Sequence, residues 1–390
     1  MYLVVRRLTK DNLKFDINYT AATSISKCLR LQPPPFQQRS KGPNLPTVQE
    51  LCDVADYGFN NSEGCLKKLL SIISQKNPLP DLDNVLDLNK IYDLTQIKRL
   101  DHLPSKERSL WFGLKPCQTW DIFELTERPG LIFIRNPFTG IGQRYWTVRC
   151  LRDYSRKPNK TNIDAFDLLA NNIDWWDICQ NNSDGKLLNK LRWVTLGYHH
   201  NWDTKMYSDE NRGEFPKDLH EMTVYLAEIL GFSHYSPEAA IVNYYHMDST
   251  LSGHTDHSEQ NIEAPLFSYS FGQTAIFLIG GKTKEEKPIP IFIRSGDIIV
   301  MTKESRVAYH GIPKILKADS HVWNLVDIYD SCNMCKEHSD VIGISKDEFL
   351  WKPFGDYLNN SRINVNVRQV LNRGKRRLNS DIYEYSEYIS

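Results

Sequence analysis

A mainly β protein with flanking helices (α+β) is predicted by three observations. Beyond residue 190 the sequence breaks into many short apolar runs of strand length. Glycine, proline and polar turns separate these runs, and one run, Arg362-Ile-Asn-Val-Asn-Val-Arg368, alternates polar and apolar residues without interruption. So many strands at close spacing predict a sandwich or jelly roll.

Composition narrows the classes. The 390 residues are 41% apolar and 25% charged, which excludes a disordered, collagen-like or coiled-coil chain. The 48 basic and 48 acidic residues cancel, so whole-molecule charge will not draw the chain onto nucleic acid, although a local basic face can. No apolar run approaches the roughly 18 residues of a membrane span, and a soluble protein with no membrane partner is expected. Eight cysteines without a hydrophobic signal segment predict a reducing compartment and no secretion. The start MYLVVRRLTK carries three positive charges and no acid, as a transit peptide does. The expected location is mitochondrial and/or nuclear, with some cytoplasmic protein.

Taken in order, residues 1–110 read as an N-terminal helical and loop extension. Pro33-Pro34-Pro35 is a rigid spacer, Cys65-Leu-Lys-Lys-Leu-Leu-Ser-Ile-Ile-Ser74 has helical spacing, and Asn77-Pro-Leu-Pro-Asp81 is turn chemistry. Gly130-Leu-Ile-Phe-Ile134 is a buried-strand signal followed by the turn Asn136-Pro137. Arg135, Arg144, Arg149, Arg152, Arg156, Lys157 and Lys160 come next, opposed locally only by Asp153 and interleaved with Phe138, Tyr145, Trp146 and Tyr154. Charges for phosphates and rings for bases make this stretch a candidate single-stranded nucleic-acid surface; the alternative is a solvated helix face with half-buried rings. Strands are expected at 193–198, 240–245, 266–271, 274–279, 289–293, 297–301 and 362–368. A helix is expected at His220–Leu230, capped by Gly231.

The chemistry centres on Gly253-His254-Thr255-Asp256-His257. In an extended segment His254 and Asp256 share a face and can hold one ion, with His310 as the candidate second imidazole. That ligand set suits Fe(II), Zn or Mn. Along 362–368, Ile363, Val365 and Val367 form one face and Arg362, Asn364, Asn366 and Arg368 the other. Turned inward over a cavity, the two arginines must meet anions, since an unpaired buried charge is heavily penalised. One can hold the far carboxylate of a diacid and the other can brace the metal-binding aspartate. Asn243 and Tyr245 share a strand face and offer neutral donors beside the same site. Cys332, Cys335 and His338 have half the spacing of a zinc site, with no second ligand pair evident.

The sequence resembles the AlkB family of Fe(II)- and 2-oxoglutarate-dependent dioxygenases, and within it the animal branch called AlkB homologue 1. The likeness runs from about residue 115 to 372. It is carried by Leu191-Arg-Trp-Val-Thr-Leu-Gly-Tyr198 with Asn201-Trp-Asp203, Asn243-Tyr-Tyr245, Asp248-Ser-Thr-Leu251, His254-x-Asp256, residues 268–281, Ser295-Gly-Asp297, Ser305-Arg306, His310 and Arg362-x-Asn-x-x-x-Arg368. The resemblance implies a double-stranded β-helix core in a dioxygenase domain over 111–372, a nucleotide-recognition lid around 190–215 and a basic-then-acidic tail over 373–390. It implies His254, Asp256 and His310 as iron ligands, with Arg362, Asn243 and Tyr245 on 2-oxoglutarate and Arg368 near Asp256.

Tyr198 occupies the family's position for a ring near the target base, with Trp202 and Tyr207 in the same lid. The implied cofactors are Fe(II), 2-oxoglutarate and O2, and the implied reaction is oxidation of methyl groups on nucleic-acid bases. Unpaired or flipped bases of tRNA are the preferred partner, with Arg144, Arg156 and Lys157 and the cluster Arg373, Lys375, Arg376 and Arg377 as candidate phosphate contacts. Alternatives on the same fold are a DNA N-methyladenine demethylase and a histone demethylase. Alternatives of another class are a zinc hydrolase and a non-catalytic binding module. The sequence departs from the family where the second acidic residue after the metal aspartate is Ser258, followed by Glu259, and where His246-Met247 follows Tyr245 without a proline. Oligomeric state is not specified.

Overall fold

The structure, a computed structural model, describes residues 82, 85–90, 95–103, 106–164, 174–181, 185–331, 334 and 336–379. The spacer at 33–35, the helix expected at 65–74 and the tail beyond 379 lie outside the described residues.

The described strands are β1 (Ile97–Arg99), β2 (Asp121–Leu125), β3 (Leu131–Arg135), β4 (Lys160–Thr161), β5 (Trp193–Gly197), β6 (Ala239–His246), β7 (Leu251–His254), β8 (Leu266–Gly272), β9 (Thr274–Ile279), β10 (Ile289–Ile293), β11 (Ile298–Met301), β12 (His310–Leu316) and β13 (Ser361–Arg368). The described α-helices are α1 (Gly140–Val148), α2 (Trp175–Asn181), α3 (Lys217–Ile229), α4 (Ser339–Lys346) and α5 (Glu348–Leu358).

Two sheets form the double-stranded β-helix. The larger runs β1-β2-β3-β11-β8-β13-β6-β5-β4 and the smaller β10-β9-β12-β7. Every pairing between these strands is antiparallel. β1 lies within the stretch read from the sequence as N-terminal extension, yet it extends the larger sheet by pairing Ile97 with Leu125.

Side-chain alternation decides which face meets what. On β13, Ile363, Val365 and Val367 enter the core beneath the helices, beside Ala240, Val242 and Tyr244 of β6 and Phe267, Tyr269 and Phe271 of β8. The opposite face of β3 and β11 sends Leu131, Phe133, Ile299 and Met301 into a second core between the sheets, with Ala275, Phe277 and Ile279 of β9. Asn243 of β6, Ser268 and Ser270 of β8 and Arg362, Asn364, Asn366 and Arg368 of β13 add polar inward positions beside the apolar Ile241 and Leu266, so the inter-sheet space is apolar at one end and a mixed, partly polar chamber at the other.

The helices cover the outer face of the larger sheet. Thr139 caps α1 by accepting from the Gly142 backbone N–H, and Asp347 caps α5 by accepting from Phe349 and Leu350. α3 spans the helix expected at 220–230, starts three residues earlier, and is followed by Gly231 at φ 88. Gly142 sits where α1 crosses the backbone at Gly113: a Cβ there would lie 1.9 Å from the Gly113 carbonyl oxygen.

In the basic stretch at 135–160, the candidate nucleic-acid surface, most side chains are engaged within the fold, while Lys157 and Lys160 stay exposed. Phe138, Tyr145, Trp146 and Tyr154 are buried in the core beneath the helices. Most of the charges meet acids, some near in sequence and some far. Arg135 pairs with Asp121, and Arg149 grips Asp218 through Nε at 2.8 Å and Nη2 at 3.1 Å while also reaching Asp153 at 2.7 Å. Arg156 pairs with Asp174 at 2.7 Å, and Lys157 with Asp164 at 2.7 Å. Arg144 is buried: its Nε donates to the Trp323 carbonyl at 2.7 Å, Nη1 reaches Glu348 at 2.6 Å, and its guanidinium lies over the Trp351 ring. Of these only Arg144 lies on α1, whose period carries it inward; the others are paired by acids within the fold.

Arg144→Ala is therefore expected to lower stability by roughly 1–3 kcal/mol, mostly through the unsatisfied Trp323 carbonyl, because the 77% exposed Glu348 partner adds little. Urea denaturation measures this. Unchanged stability with weakened nucleic-acid binding would reverse the assignment.

Candidate active site

The register between β7 and β12 builds the centre. His310 is the direct antiparallel partner of His254, so the two imidazoles emerge side by side, with ring centroids 4.4 Å apart. Asp256 follows His254 by two residues and returns to the same side, its Oδ2 3.7 Å from His310 Nε2. One ligand atom from each of the three lies within 4.8 Å of the others, and this is the one such His/Cys/Asp/Glu group among the described residues. Both imidazoles are oriented from behind: His254 Nδ1–H donates to the Ser252 carbonyl at 2.9 Å and His310 Nδ1–H to that of Ala308 at 3.0 Å. That leaves the Nε2 lone pairs for a metal. Two oriented imidazoles and one carboxylate on one side of a roomy chamber fit an Fe(II) ion with open positions.

Charge keeps the ligands ready. Burial raises the Asp256 pKa, but the Arg368 guanidinium and the two imidazoles outweigh it and hold the carboxyl well below the usual range. Burial and the neighbouring His254 push His310 down to about 4 against the pull of Asp256, so it stays neutral near pH 7.

Behind the triad stands an ion network that sequence reading reached only in part. Arg368 Nη2 lies 3.0 Å from Asp256, and its Nε 3.1 Å from Glu259. Arg306 takes the other Glu259 oxygen at 2.9 Å and donates to the Asp256 backbone carbonyl at 2.7 Å. The Tyr207 hydroxyl donates to Glu259 at 3.3 Å. Glu259 is thus occupied between two arginines. Its only sequence signal was a carboxylate three residues after Asp256, and nothing local revealed Arg306 as its partner.

The second anion position is set by the larger sheet. Arg362 is the cross-strand partner of Tyr245, and Asn364 that of Asn243, so all four lie on the inward face. Arg362 is 2% exposed and donates to Ser270 Oγ at 2.7 Å and to the Gln273 and Ile293 carbonyls at 3.3 and 3.4 Å. Its Nε finds no partner, and no carboxylate lies within 4.0 Å of the guanidinium among the described residues. Burial pushes Arg362 down to about 10, and the nearby Asp297, itself raised to about 6 by burial, compensates weakly. A buried cation lacking its counter-ion fits the distal carboxylate of 2-oxoglutarate.

A cavity of about 490 Å³ opens over the triad. The triad, Asn243, Tyr245, Asn364 and Arg368 line it, with Ile241, Leu251, Leu266, Met301 and Ile312 as apolar wall and His200, Trp202 and Tyr207 on the lid side. Trp202 is 39% exposed at the mouth and Tyr207 is buried deeper. Tyr198 does not line this cavity. It is 1% exposed, its hydroxyl donates to Asp209 at 2.9 Å and Arg212 lies over its ring, because Gly197 at φ 67 turns the chain and packs the ring under the lid. His200, not foreseen, takes the place at the cavity, edge-on to Trp202 and Tyr207 with Nε2 3.1 Å from Ser258 Oγ. Arg144, Arg156 and Lys157 are not among the lining residues. Cys332 and Cys335 lie outside the described residues, and His338 is 3.8 Å from Asp218.

Comparison with known proteins agrees with this geometry. Residues 147–368 match the model of the 2OG-Fe(II) oxygenase superfamily. The chain is 34% identical over 345 residues to the nucleic acid dioxygenase ALKBH1 of Homo sapiens, covering 82% of this chain and 87% of that one. It is 31% identical over 339 residues to the DNA N(6)-methyladenine demethylase ALKBH1A of Arabidopsis thaliana, covering 77% and 91%. With the tRNA demethylase abh1 of Schizosaccharomyces pombe it shares 31% over 269 residues, covering 64% and 82%. With the triad, the uncompensated Arg362 and this likeness in agreement, the chain belongs to the 2OG-Fe(II) oxygenase superfamily and, within it, to the ALKBH1 branch of the AlkB family: it is an Fe(II)- and 2-oxoglutarate-dependent oxidoreductase.

Proposed function

We propose that this protein oxidises methyl groups on nucleic-acid bases, with unpaired or flipped bases of tRNA as its substrate. The observation that carries the reading is the cavity itself. The triad lines it together with Asn243, Tyr245 and Asn364, the strand neighbours of the buried Arg362, and Trp202 and Tyr207 line it on the lid side. Fe(II), 2-oxoglutarate and O2 bound there would supply an oxidant that hydroxylates a methyl carbon, releasing succinate and carbon dioxide. Formaldehyde leaves if that carbon is on nitrogen, and an oxidised methyl group remains if it is on carbon.

The chain's own part is positioning. His254, Asp256 and His310 would hold the metal from one side. Arg362 would bind the distal carboxylate of 2-oxoglutarate, with Asn243 and Tyr245 as neutral neighbours. Arg368 keeps Asp256 ionised and fixed. Trp202 and Tyr207 offer ring faces and edges to a base, and the apolar wall limits water near the reacting carbon. A cavity of about 490 Å³ takes one base together with the co-substrate and cannot take a base still stacked in a helix. Exposed Arg373, Arg376 and Arg377 stand beside the lid, where Leu378 N–H donates to Asp209 at 3.0 Å and Arg212 to the Arg376 carbonyl, and they supply phosphate contacts in place of the 135–160 stretch. The similarity to a tRNA demethylase supports RNA, and that to a DNA demethylase makes DNA the competing substrate. A zinc hydrolase would leave the buried Arg362 without an anion.

The deciding experiment incubates the protein with total tRNA, Fe(II) and 2-oxoglutarate and quantifies nucleosides by mass spectrometry. Loss of a methylated nucleoside, or gain of its oxidised form, is expected with the native chain. Asp256→Ala should lose at least about 100-fold in turnover and in metal affinity while keeping RNA binding. Unchanged tRNA alongside altered DNA nucleosides would move the substrate to DNA.

Arg362→Met should raise the KM for 2-oxoglutarate roughly 10–100-fold, the worth of one or two charge-assisted hydrogen bonds, and leave Mn(II) affinity unaltered. An unmoved KM would show that the co-substrate binds elsewhere.

A further inference from the structure

The lid that carries His200, Trp202 and Tyr207 to the metal cavity is a small hairpin. Between β5 and α3 the chain turns back on itself, pairing Tyr198 with Arg212 and Asn201 with Met206, and His199 N–H donates to the Asn211 carbonyl at 2.8 Å. Trp202 and Lys205 line the cavity from its tip, and His200 and Tyr207 from its two arms. A two-stranded hairpin is at best marginally stable in water, so its aim over the cavity needs support beyond the bonds that Lys160 and Thr195 make to Asn211 and His199 at its base.

The segment after β13 supplies that support. It leaves the sheet firmly held: Glu238 accepts from the Val370 and Leu371 N–H groups at 2.8 and 2.7 Å, and the Val370 carbonyl accepts from Gln260 and Asn261 N–H at 3.0 and 3.2 Å. Gly374, at φ 80, then reverses the chain, and Lys375 N–H donates to the Asn372 carbonyl at 3.0 Å. The returning stretch reaches the outer arm of the hairpin. Asp209 accepts from the N–H groups of Leu378 and Asn379 at 3.0 and 3.3 Å and from the Tyr198 hydroxyl at 2.9 Å. Arg212 donates to the Arg376 carbonyl at 3.4 Å, and the Gln260 side chain to that of Leu378 at 3.0 Å.

Among these bonds the half-buried Leu378 packs on a small core of Tyr198, Tyr207, Ala239, Val370 and Leu371. Tyr207 serves both faces of the lid. Its ring stands 6.4 Å from that of Tyr198 in this core, and it also lines the metal cavity, where its hydroxyl donates to Glu259 at 3.3 Å. The core that Leu378 closes behind the lid therefore includes a residue that faces the cavity. No residue of 370–379 lines the cavity itself.

We propose that residues 372–379 are the positioning strap of the lid: Leu378 and the two N–H groups on Asp209 fix the hairpin in the place from which His200, Trp202 and Tyr207 meet a substrate. Asp209 and Leu378 are positioning residues, since they act through the lid. What the lid meets rests on the nucleic-acid reading above; the strap does not.

The test is hydrogen exchange of the full chain with Mn(II) and 2-oxoglutarate, resolved by mass spectrometry of peptides. Leu378→Asp should make peptides from 199–211 exchange about tenfold faster, as loss of a half-buried leucine contact implies, while peptides from β7 and β12 exchange at the native rate. Asp209→Ala removes the acceptor from the lid side and should have the same local effect, and Leu378→Met should keep native exchange. In turnover on total tRNA, Leu378→Asp should raise the KM for RNA about tenfold and leave the KM for 2-oxoglutarate unchanged. Native exchange across 199–211 in both the Leu378→Asp and the Asp209→Ala chains would overturn the strap. So would acceleration spread equally over β7 and β12, which would make the segment a general brace of the fold, and so would an unmoved KM for RNA beside a loosened lid. If the native chain acts on no tRNA, the nucleic-acid reading fails while the exchange result still decides the strap.

Discussion

The site depends on one strand register. β7 and β12 are far apart in the chain and meet so that His254 faces His310 across an antiparallel pair. A shift by one residue would turn one imidazole to the other face of the sheet and dissolve the triad, because side chains alternate with period two. Apolar packing protects that register: β12 also pairs with β9, whose six residues are all buried, so slippage would expose Ile276, Leu278 and their neighbours. The metal ligands are thus held by the same hydrophobic contacts that close the smaller sheet.

Electrostatic balance divides the chamber into a finished half and an unfinished half. Asp256 and Glu259 are matched by Arg368 and Arg306 in a chain of ion pairs between 2.9 and 3.1 Å. Removing any member would strand a buried charge, a loss of about 3–5 kcal/mol. Arg362 has no such match. The fold tolerates this guanidinium because three hydrogen bonds and the inward polar groups of β6, β8 and β13 partly solvate it, and its unpartnered Nε is a donor that suits a carboxylate. Stability and ligand recognition therefore draw on the same residues with opposite bookkeeping.

The cations divide in a similar way. Most of those between 135 and 160 meet acids within the fold: Arg135 meets Asp121, Arg149 meets Asp218 and Asp153, Arg156 meets Asp174 and Lys157 meets Asp164. A high local density of basic residues in the sequence is thus a poor guide to a binding surface unless the acids that folding brings to them are known.

Much of the fold and the centre was legible in the chain itself. The alternation of 362–368 specified which side chains face the chamber and which the helices, because period two is a local property of an extended backbone. The spacing of His254 and Asp256 specified two ligands for the same reason, and the C-terminal end of α3, to within one residue, and most strands followed from hydrophobic periodicity and Gly231. Tertiary structure alone decided the facing of His254 and His310, the capture of Glu259 by Arg306 and Arg368, the burial of Tyr198 in favour of His200, and the neutralisation of Arg144 and Arg149. Each of these depends on contacts between segments tens to hundreds of residues apart. Neither local periodicity nor composition carries that information, since it arises only when packing selects one register among those the strands would individually allow.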